Sequence, residues 1–345
     1  MKRLTKKEGL ELLSGADLLE LGRMADERRR ELHPGGVVTF VVDRNINYTN
    51  VCINRCRFCA FWRDVKSSQG YVLTDAQMCR KIEETLDLGG TQILLQGGIN
   101  PNLGLNYYVG LLRGIKKRYR ISVHGFSPPE VCYIADISGL TVRETICILR
   151  EAGLDSIPGG GAEILTDRVR NILSPRKIGS ARWLGVMHEA HRQGMRTSAT
   201  MMFGSIERPE EIIEHLDSLR RLQDATGGFT AFIPWPFQPG NTYYAGKVTP
   251  ATGVEYLRVL ALSRVYLDNF DNIQASWVTQ GLKMAQVALR FGANDMGSTM
   301  IEENVVASAG ISHSVSMNEL VSAIKGAGFR PAQRDTVYNI IKRYR

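Results

Sequence analysis

The run Asn50-Val51-Cys52-Ile53-Asn54-Arg55-Cys56-Arg57-Phe58-Cys59-Ala60-Phe61 sets three thiols at Cys-x-x-x-Cys-x-x-Cys spacing, with an aromatic residue just before the third. Soft metals favour thiolate ligands, and one tight loop can fold three of them around a single metal centre. Three ligands leave a cubane [4Fe–4S] cluster with one iron that no protein group holds. That iron is open to a small molecule bearing an amine and a carboxylate. The competing readings are a structural zinc site and inert core thiols. Zinc needs a fourth ligand and usually two separated cysteine pairs, and the nearest histidines are His33 and His124. A ferredoxin-like carrier supplies four cysteines per cluster.

Working outward, the chain alternates short apolar runs with helical stretches. Asn45–Asn50 leads into the cysteine loop as the first strand, and a small β element at Val37–Val42 is expected before it. Further strands read at Thr91–Gln96, Ile121–Phe126, Leu154–Ile157, Thr197–Phe203, Phe229–Ile233, Asn272–Trp277 and Ala293–Gly297. Helices read at 75–88, 106–119, 141–152, 180–193, 209–226, 253–269 and 279–291, several ending in a glycine that supplies a left-handed cap. Eight strands alternating with helices predict an α/β protein with a (β/α)8 TIM-type barrel rather than a doubly wound sheet. Catalytic groups of such barrels sit at the loops after the strands, which puts the cysteine loop at the mouth. Residues 1–36 read as an N-terminal helical extension, with Leu18, Leu21, Ala25 and Leu32 on one face, 37–315 as the barrel, and 316–345 as a C-terminal helical extension closing with a basic helix.

Composition narrows the class. Apolar residues make up 43% and charged residues 23% of 345, the balance of an ordinary globular protein. No run approaches the length of a membrane span, and the basic N-terminus lacks the apolar stretch of a secretory signal. Reduced thiols in a cluster-binding run imply the cytoplasm. The net charge of +8 favours anionic ligands, but the basic residues are scattered among acids and no nucleic-acid module is visible. Cys79, Cys132 and Cys147 are isolated and read as buried structural thiols, Cys132 in an apolar turn.

The strand ends carry the remaining candidates. Gln96-Gly97-Gly98 lets backbone approach a ligand without Cβ interference. Pro158-Gly159-Gly160-Gly161-Ala162-Glu163 offers exposed amides but no triphosphate-binding pattern. Glu163 bonds ribose hydroxyls or serves as a helix N-terminal acid. Thr200–Glu207 contributes Gly204, and Ile233–Thr242 is a rigid aromatic loop that is either a lid or a stiff structural segment. His124 ends the third strand as a proton-handling group or a satisfied core histidine. Asp295, near the end of the eighth, holds ribose hydroxyls or caps a helix.

The cysteine spacing resembles the signature of the radical S-adenosylmethionine (SAM) superfamily. Gly89–Gly98, Ser127-Pro128-Pro129-Glu130, Asp155–Glu163, Phe232–Thr242 and Gln274-Ala275-Ser276-Trp277 resemble the cyclic dehypoxanthine futalosine synthase family, a radical SAM branch of menaquinone biosynthesis. Its relatives are aminofutalosine synthase and the tyrosine-using deazaflavin-cofactor synthases, which share the cysteine run and a segment like Ala199–Met202. The resemblance implies that Cys52, Cys56 and Cys59 ligate a [4Fe–4S] cluster and that Phe58, Gln96, Gly97, Gly98, Glu163 and Gly204 contact SAM. It departs from the family pattern at Ile99, where an acid often follows the two glycines, and at Ser205, where a histidine is frequent. It further implies an electron donor such as flavodoxin or ferredoxin, and dehypoxanthine futalosine as substrate. A 5′-deoxyadenosyl radical would take the hydrogen from C4′, and the carbon radical would close onto the benzene ring. A protein that only carries electrons or senses iron is the non-enzymatic alternative.

Overall fold

The computed structural model describes residues 2–311 and 313–345. Helices α1 (Lys6–Gly15) and α2 (Leu18–Leu32) precede strands β1 (Val37–Val41) and β2 (Asp43–Asn47). Then follow α3 (Asp75–Asp87), β3 (Gln92–Gln96), α4 (Leu105–Arg118), β4 (Ser122–Gly125), α5 (Pro128–Ser138), α6 (Val142–Ala152), α7 (Asp167–Leu173) and α8 (Ser180–Arg192). The second half holds β5 (Thr197–Phe203), α9 (Pro209–Thr226), β6 (Phe229–Pro236), α10 (Gly253–Tyr266), β7 (Asn272–Ile273), α11 (Trp277–Ala288) and β8 (Asp295–Ser298). A short α12 (Val305–Ser308), α13 (Met317–Gly326), β9 (Arg330–Arg334) and β10 (Ile340–Arg343) end the chain.

Helix starts follow one local rule. Thr5 with Glu8, Thr74 with Gln77, Thr141 with Glu144, Thr252 with Glu255 and Ser316 with Glu319 form reciprocal capping boxes, satisfying amides the first turn leaves free.

The strands close a parallel barrel. β2 pairs with β3 and β3 with β4, single bridges at His124–Ser156 and Ile157–Thr197 make the fourth stave, β5 pairs with β6 and β6 with β7, and Gln274 bridges to Asp295. β8 returns to β1, with Thr39 opposite Asp295. The expected (β/α)8 architecture is therefore present, and α1 and α2 pack on α9 and α10 outside it.

Four local expectations are corrected. The strand expected at Val37–Val42 is present as Val37–Val41, but it belongs to the barrel, since β1 continues into β2 and together they form the first stave. That stave starts before Asn45, and its polar Asp43, Arg44, Asn45 and Asn47 are all buried, so hydrophobicity could not mark it. The stretch around Cys132 is helix α5, not a turn. Pro128 and Pro129 occupy its first positions, where a missing N–H costs no helical bond. Cys132 is buried, but Cys79 is half-buried and Cys147 exposed. The closing helix is instead a hairpin: β9 adds in parallel to β1 from Val37–Arg330 to Phe40–Gln333, and β10 folds back on it. The β-branched Ile340-Ile341 pair suits a strand, and the free edge of β1 supplies the partner for β9.

Candidate active site at the barrel mouth

The cysteine loop leaves β2 and is stitched down by backbone bonds. Cys52 N–H donates to the Arg63 carbonyl (3.0 Å) and Arg63 N–H to that of Asn50 (2.8 Å). The Arg63 guanidinium gathers the carbonyls of Ala60 (3.0 Å), Phe61 (3.2 Å) and Trp62 (3.0 Å), fixing the exit from the third cysteine. Ile99 N–H points at Cys52 Sγ from 3.3 Å, and Arg57 N–H donates to Leu173. Cys56 is buried, Cys52 and Cys59 half-buried. Burial pushes the Cys56 thiol up to about 12 and raises Cys59 also. Among the described residues no three His, Cys, Asp or Glu groups converge on one ion. In a cubane each thiolate binds a different iron, and a set of three thiols with an amide aimed at one sulfur fits that group.

Lys177, which no sequence pattern marks, packs against the cysteine loop. Its ammonium lies 3.0 Å from Glu163 Oε1 and 4.9 Å from the centre of the Phe58 ring. Burial works against its charge, yet Cys56 and Glu163 raise its pKa overall. Glu163, in the left-handed region at φ 43°, is also 3.5 Å from Arg170, so Phe58, Cys56, Lys177 and Glu163 form one connected group. The only hint in the sequence was Lys177 following Pro175 and Arg176, which marks nothing by itself.

The Gly97-Gly98 turn is held by Glu130, another residue whose role spacing did not disclose. Its Oε1 accepts from Tyr48 Oη (2.7 Å) and Gly97 N–H (3.0 Å), and its Oε2 from Ser127 N–H (2.7 Å) and Oγ (2.6 Å). Burial raises the Glu130 pKa while these four donors oppose the rise. A Cβ on Gly98 would lie 2.2 Å from the Val51 carbonyl oxygen, and one on Gly97 2.5 Å from the Tyr48 ring, so both glycines are required by close approach.

Below the mouth lies a cavity of about 290 Å³ whose wall includes Gln96, Gly160, Gly161, Glu163, His124 and Trp235. His124 faces this space. Ser156 Oγ donates its one hydrogen to the Arg196 carbonyl (2.7 Å), so at 2.9 Å it accepts from His124 Nδ1–H. The network thereby assigns the Nδ1–H tautomer and leaves the Nε2 lone pair toward Ser198 Oγ, 3.4 Å away. Burial, aided by Arg334, lowers the His124 pKa to about 3, so the ring is neutral.

Asp295 is placed differently from the expectation. It opens β8 rather than standing near its end, it is fully buried, and both oxygens bond Arg334 (2.6 and 3.0 Å). Arg334 comes from the C-terminal hairpin and lines the cavity with Tyr338, which the expectation of a closing helix concealed. Gly204 is separated from the other candidates: it follows β5 beside Ala251, in a different hollow, with Ser205 N–H and Oγ held by Glu207 (3.0 and 2.6 Å). Of the sequence candidates, the structure joins the cysteines, Phe58, Gln96, Gly97, Gly98, Glu163 and His124 around one mouth.

Comparison with known proteins agrees with this geometry. Residues 46–219 match the radical SAM superfamily, and residues 226–344 match the CofH/MqnC C-terminal region. The chain is 47% identical to a cyclic dehypoxanthine futalosine synthase of Halalkalibacterium halodurans, covering 99% of this chain and 93% of that one. It is 44% identical to the Streptomyces coelicolor protein of the same name (97% and 85% covered). It is also 43% identical to a 5-amino-6-(D-ribitylamino)uracil–L-tyrosine 4-hydroxyphenyl transferase of Methanothermobacter thermautotrophicus (98% and 95% covered). Among solved structures, methylornithine synthase (PylB) superposes with a TM-score of 0.74 at 19% identity over 96% of this chain and 95% of that one, and HydG from Carboxydothermus hydrogenoformans with 0.78 at 17% over 98% and 78%. These two share the fold. The chain is a radical SAM enzyme that uses a [4Fe–4S] cluster and SAM, and it belongs over nearly its whole length to the family that includes the cyclic dehypoxanthine futalosine synthases.

Proposed function

We propose that the chain converts dehypoxanthine futalosine to its cyclic form, within menaquinone biosynthesis in the cytoplasm. The observation that carries the reading is a cavity lined by Gln96, Glu163 and a neutral His124, joined to the thiol loop where Lys177 bridges Glu163 and Phe58. The choice of substrate is supported by the 47% and 44% identity to the two relatives of that name. The runner-up, a tyrosine-using transferase, is supported by the 43% identity to the archaeal protein.

In this reading Cys52, Cys56 and Cys59 hold the cluster, and Gln96, Gly97 and Gly98 receive the methionine end of SAM through backbone kept in place by Glu130. Phe58 flanks the adenine and Glu163 takes the ribose hydroxyls, while Lys177 balances the thiolate charge and is within reach of a carboxylate. Together the bound groups supply a carbon-centred radical able to remove a hydrogen from C4′ of the substrate. The barrel wall excludes water and holds C4′ against the aromatic ring, converting a demanding encounter into a positioned one. His124 Nε2 accepts the proton released when the ring regains aromaticity, since the imidazole lines the cavity and the Nε2 lone pair, directed at the cavity-lining Ser198 Oγ, carries no proton. Asp295 and Gly204 are left out of this set, because one is committed to Arg334 and the other lies in a separate hollow.

A substrate panel read by mass spectrometry tests the reading. Anaerobically reconstituted protein with SAM and dithionite should give the cyclic product from dehypoxanthine futalosine alone. Turnover of tyrosine, or of the enolpyruvyl precursor of aminofutalosine, in its place would overturn it.

A further inference from the structure

The cluster loop has two faces, and the outer one is unused by the chemistry above. Phe58 turns inward to Lys177, whereas its neighbour Arg57 turns outward and is exposed. Arg57 Nη1 donates to the Ile172 carbonyl (3.2 Å), and its guanidinium lies 5.6 Å from the centre of the Tyr243 ring. The Lys247 ammonium sits 3.4 Å from the same ring centre. Tyr243 N–H donates to the Arg57 carbonyl (3.1 Å), which ties the loop after β6 to the residue between the second and third cysteines. Ile172 is 37% and Tyr243 58% exposed, so an aromatic and an aliphatic side chain stand in solvent between cations. Arg176, exposed, precedes the Lys177 that touches Phe58 from within. Arg55, on the far side of the loop, is neutralised by Asp64, whereas Arg57 and Lys247 share the Tyr243 ring and Arg57 adds the Ile172 carbonyl.

We propose that this surface, Arg57, Ile172, Arg176, Tyr243 and Lys247, is the docking site of a small acidic one-electron carrier protein. The proposal rests on the cluster being held by Cys52, Cys56 and Cys59. Charge selects the partner: three cations around an exposed apolar centre attract an acidic surface and speed its encounter, while the apolar pair supplies the contact that excludes water. Position selects the role, because the patch is built on the residue between two cluster ligands and on the segments bonded to it. A carrier seated there gives one electron to the oxidised cluster, [4Fe–4S]²⁺ becoming [4Fe–4S]⁺. The carrier is oxidised by one electron, and no group is transferred. The inner face, where SAM belongs, stays free throughout.

The test uses the reconstituted holoenzyme and a flavodoxin as probe. Arg176→Glu with Lys247→Glu leaves every cluster ligand and cavity residue in place. Iron content, cluster absorbance and dithionite-driven SAM cleavage should match the parent within about twofold. The Kd for flavodoxin, measured by isothermal titration at low salt, should weaken at least tenfold, and its dependence on salt should become shallower. Cleavage driven by sub-saturating reduced flavodoxin should fall in the same proportion. Charge reversal at Lys7 and Arg23, on the outer helices α1 and α2, should change none of these. An unchanged Kd in the first variant, or an equal loss in the second, would overturn the docking site. Loss of cluster ligation on Cys56→Ala tests the underlying reading separately, so the two failures are distinguishable.

Discussion

Arg334 and Asp295 meet as a fork inside the barrel, Nε 2.6 Å from Oδ2 and Nη2 3.0 Å from Oδ1, on side chains 6% and 0% exposed. One partner opens β8 and the other ends β9, so the pair fastens the C-terminal hairpin into the interior. Removing one member of a buried pair leaves an uncompensated charge, which costs about 3–5 kcal/mol. Arg334→Met should lower the urea unfolding free energy by that amount, and adding Asp295→Leu should recover most of it. Full stability in Arg334→Met alone would show that the hairpin is dispensable to the barrel.

His124 should act through Nε2. In His124→Gln, 5′-deoxyadenosine should still form while the cyclic product falls about 10²-fold, the scale of a lost general base. Ser156→Ala frees the tautomer and should cost less, about tenfold, with a ¹⁵N signature showing a mixed Nδ1–H and Nε2–H ring. If product and 5′-deoxyadenosine declined in step in both variants, the proton-acceptor role would be wrong.

Acid should destabilise the fold from below neutrality. His124 and His215 are lowered to about 3 and His191 to about 4, each chiefly by burial. Between those values and the unfolded value near 6.5 the unfolded chain binds more protons, so stability falls as pH drops through that window. Each such histidine contributes a slope of about 1.4 kcal/mol per pH unit. Unfolding free energies at pH 7 and pH 5 should differ accordingly, and His191→Gln should reduce the difference by that one histidine's share.

The ligand assignment separates the six cysteines. Cys52→Ala, Cys56→Ala and Cys59→Ala should each abolish cluster absorbance and SAM cleavage, because an iron loses its thiolate. Cys79→Ala and Cys147→Ala should leave both intact, as should Cys132→Ala apart from a packing loss of about 1 kcal/mol in α5. Cluster loss in Cys79→Ala with retention in Cys52→Ala would reverse the assignment.

The barrel was legible because its staves and helices alternate, and the mouth because cysteine spacing and glycine turns are local patterns. What stayed hidden was set by partners distant in sequence. Asp43 and Arg44 look like loop residues until buried between neighbours, and Asp295 looks like a ligand group until Arg334 arrives from a hairpin 39 residues on. Lys177 carries no spacing of its own, and Glu130 reads by spacing only as the capping partner of Ser127; their further roles appear only beside Phe58 and Gly97. The hairpin itself was misread because strand formation there depends on the free edge of β1, which no window around residue 335 contains.

The central claim is a radical that begins at C4′ of dehypoxanthine futalosine and ends in a new carbon–carbon bond. Cleaving SAM consumes one electron and restoring the aromatic ring releases one, so the conversion is redox-neutral once the cluster has been reduced. Bond formation at C4′ leaves no place for the hydrogen to return. Substrate deuterated at C4′ should therefore yield singly deuterated 5′-deoxyadenosine, one per cyclic product, with no label in the product. Deuterium kept in the product, or many turnovers per SAM, would contradict the account.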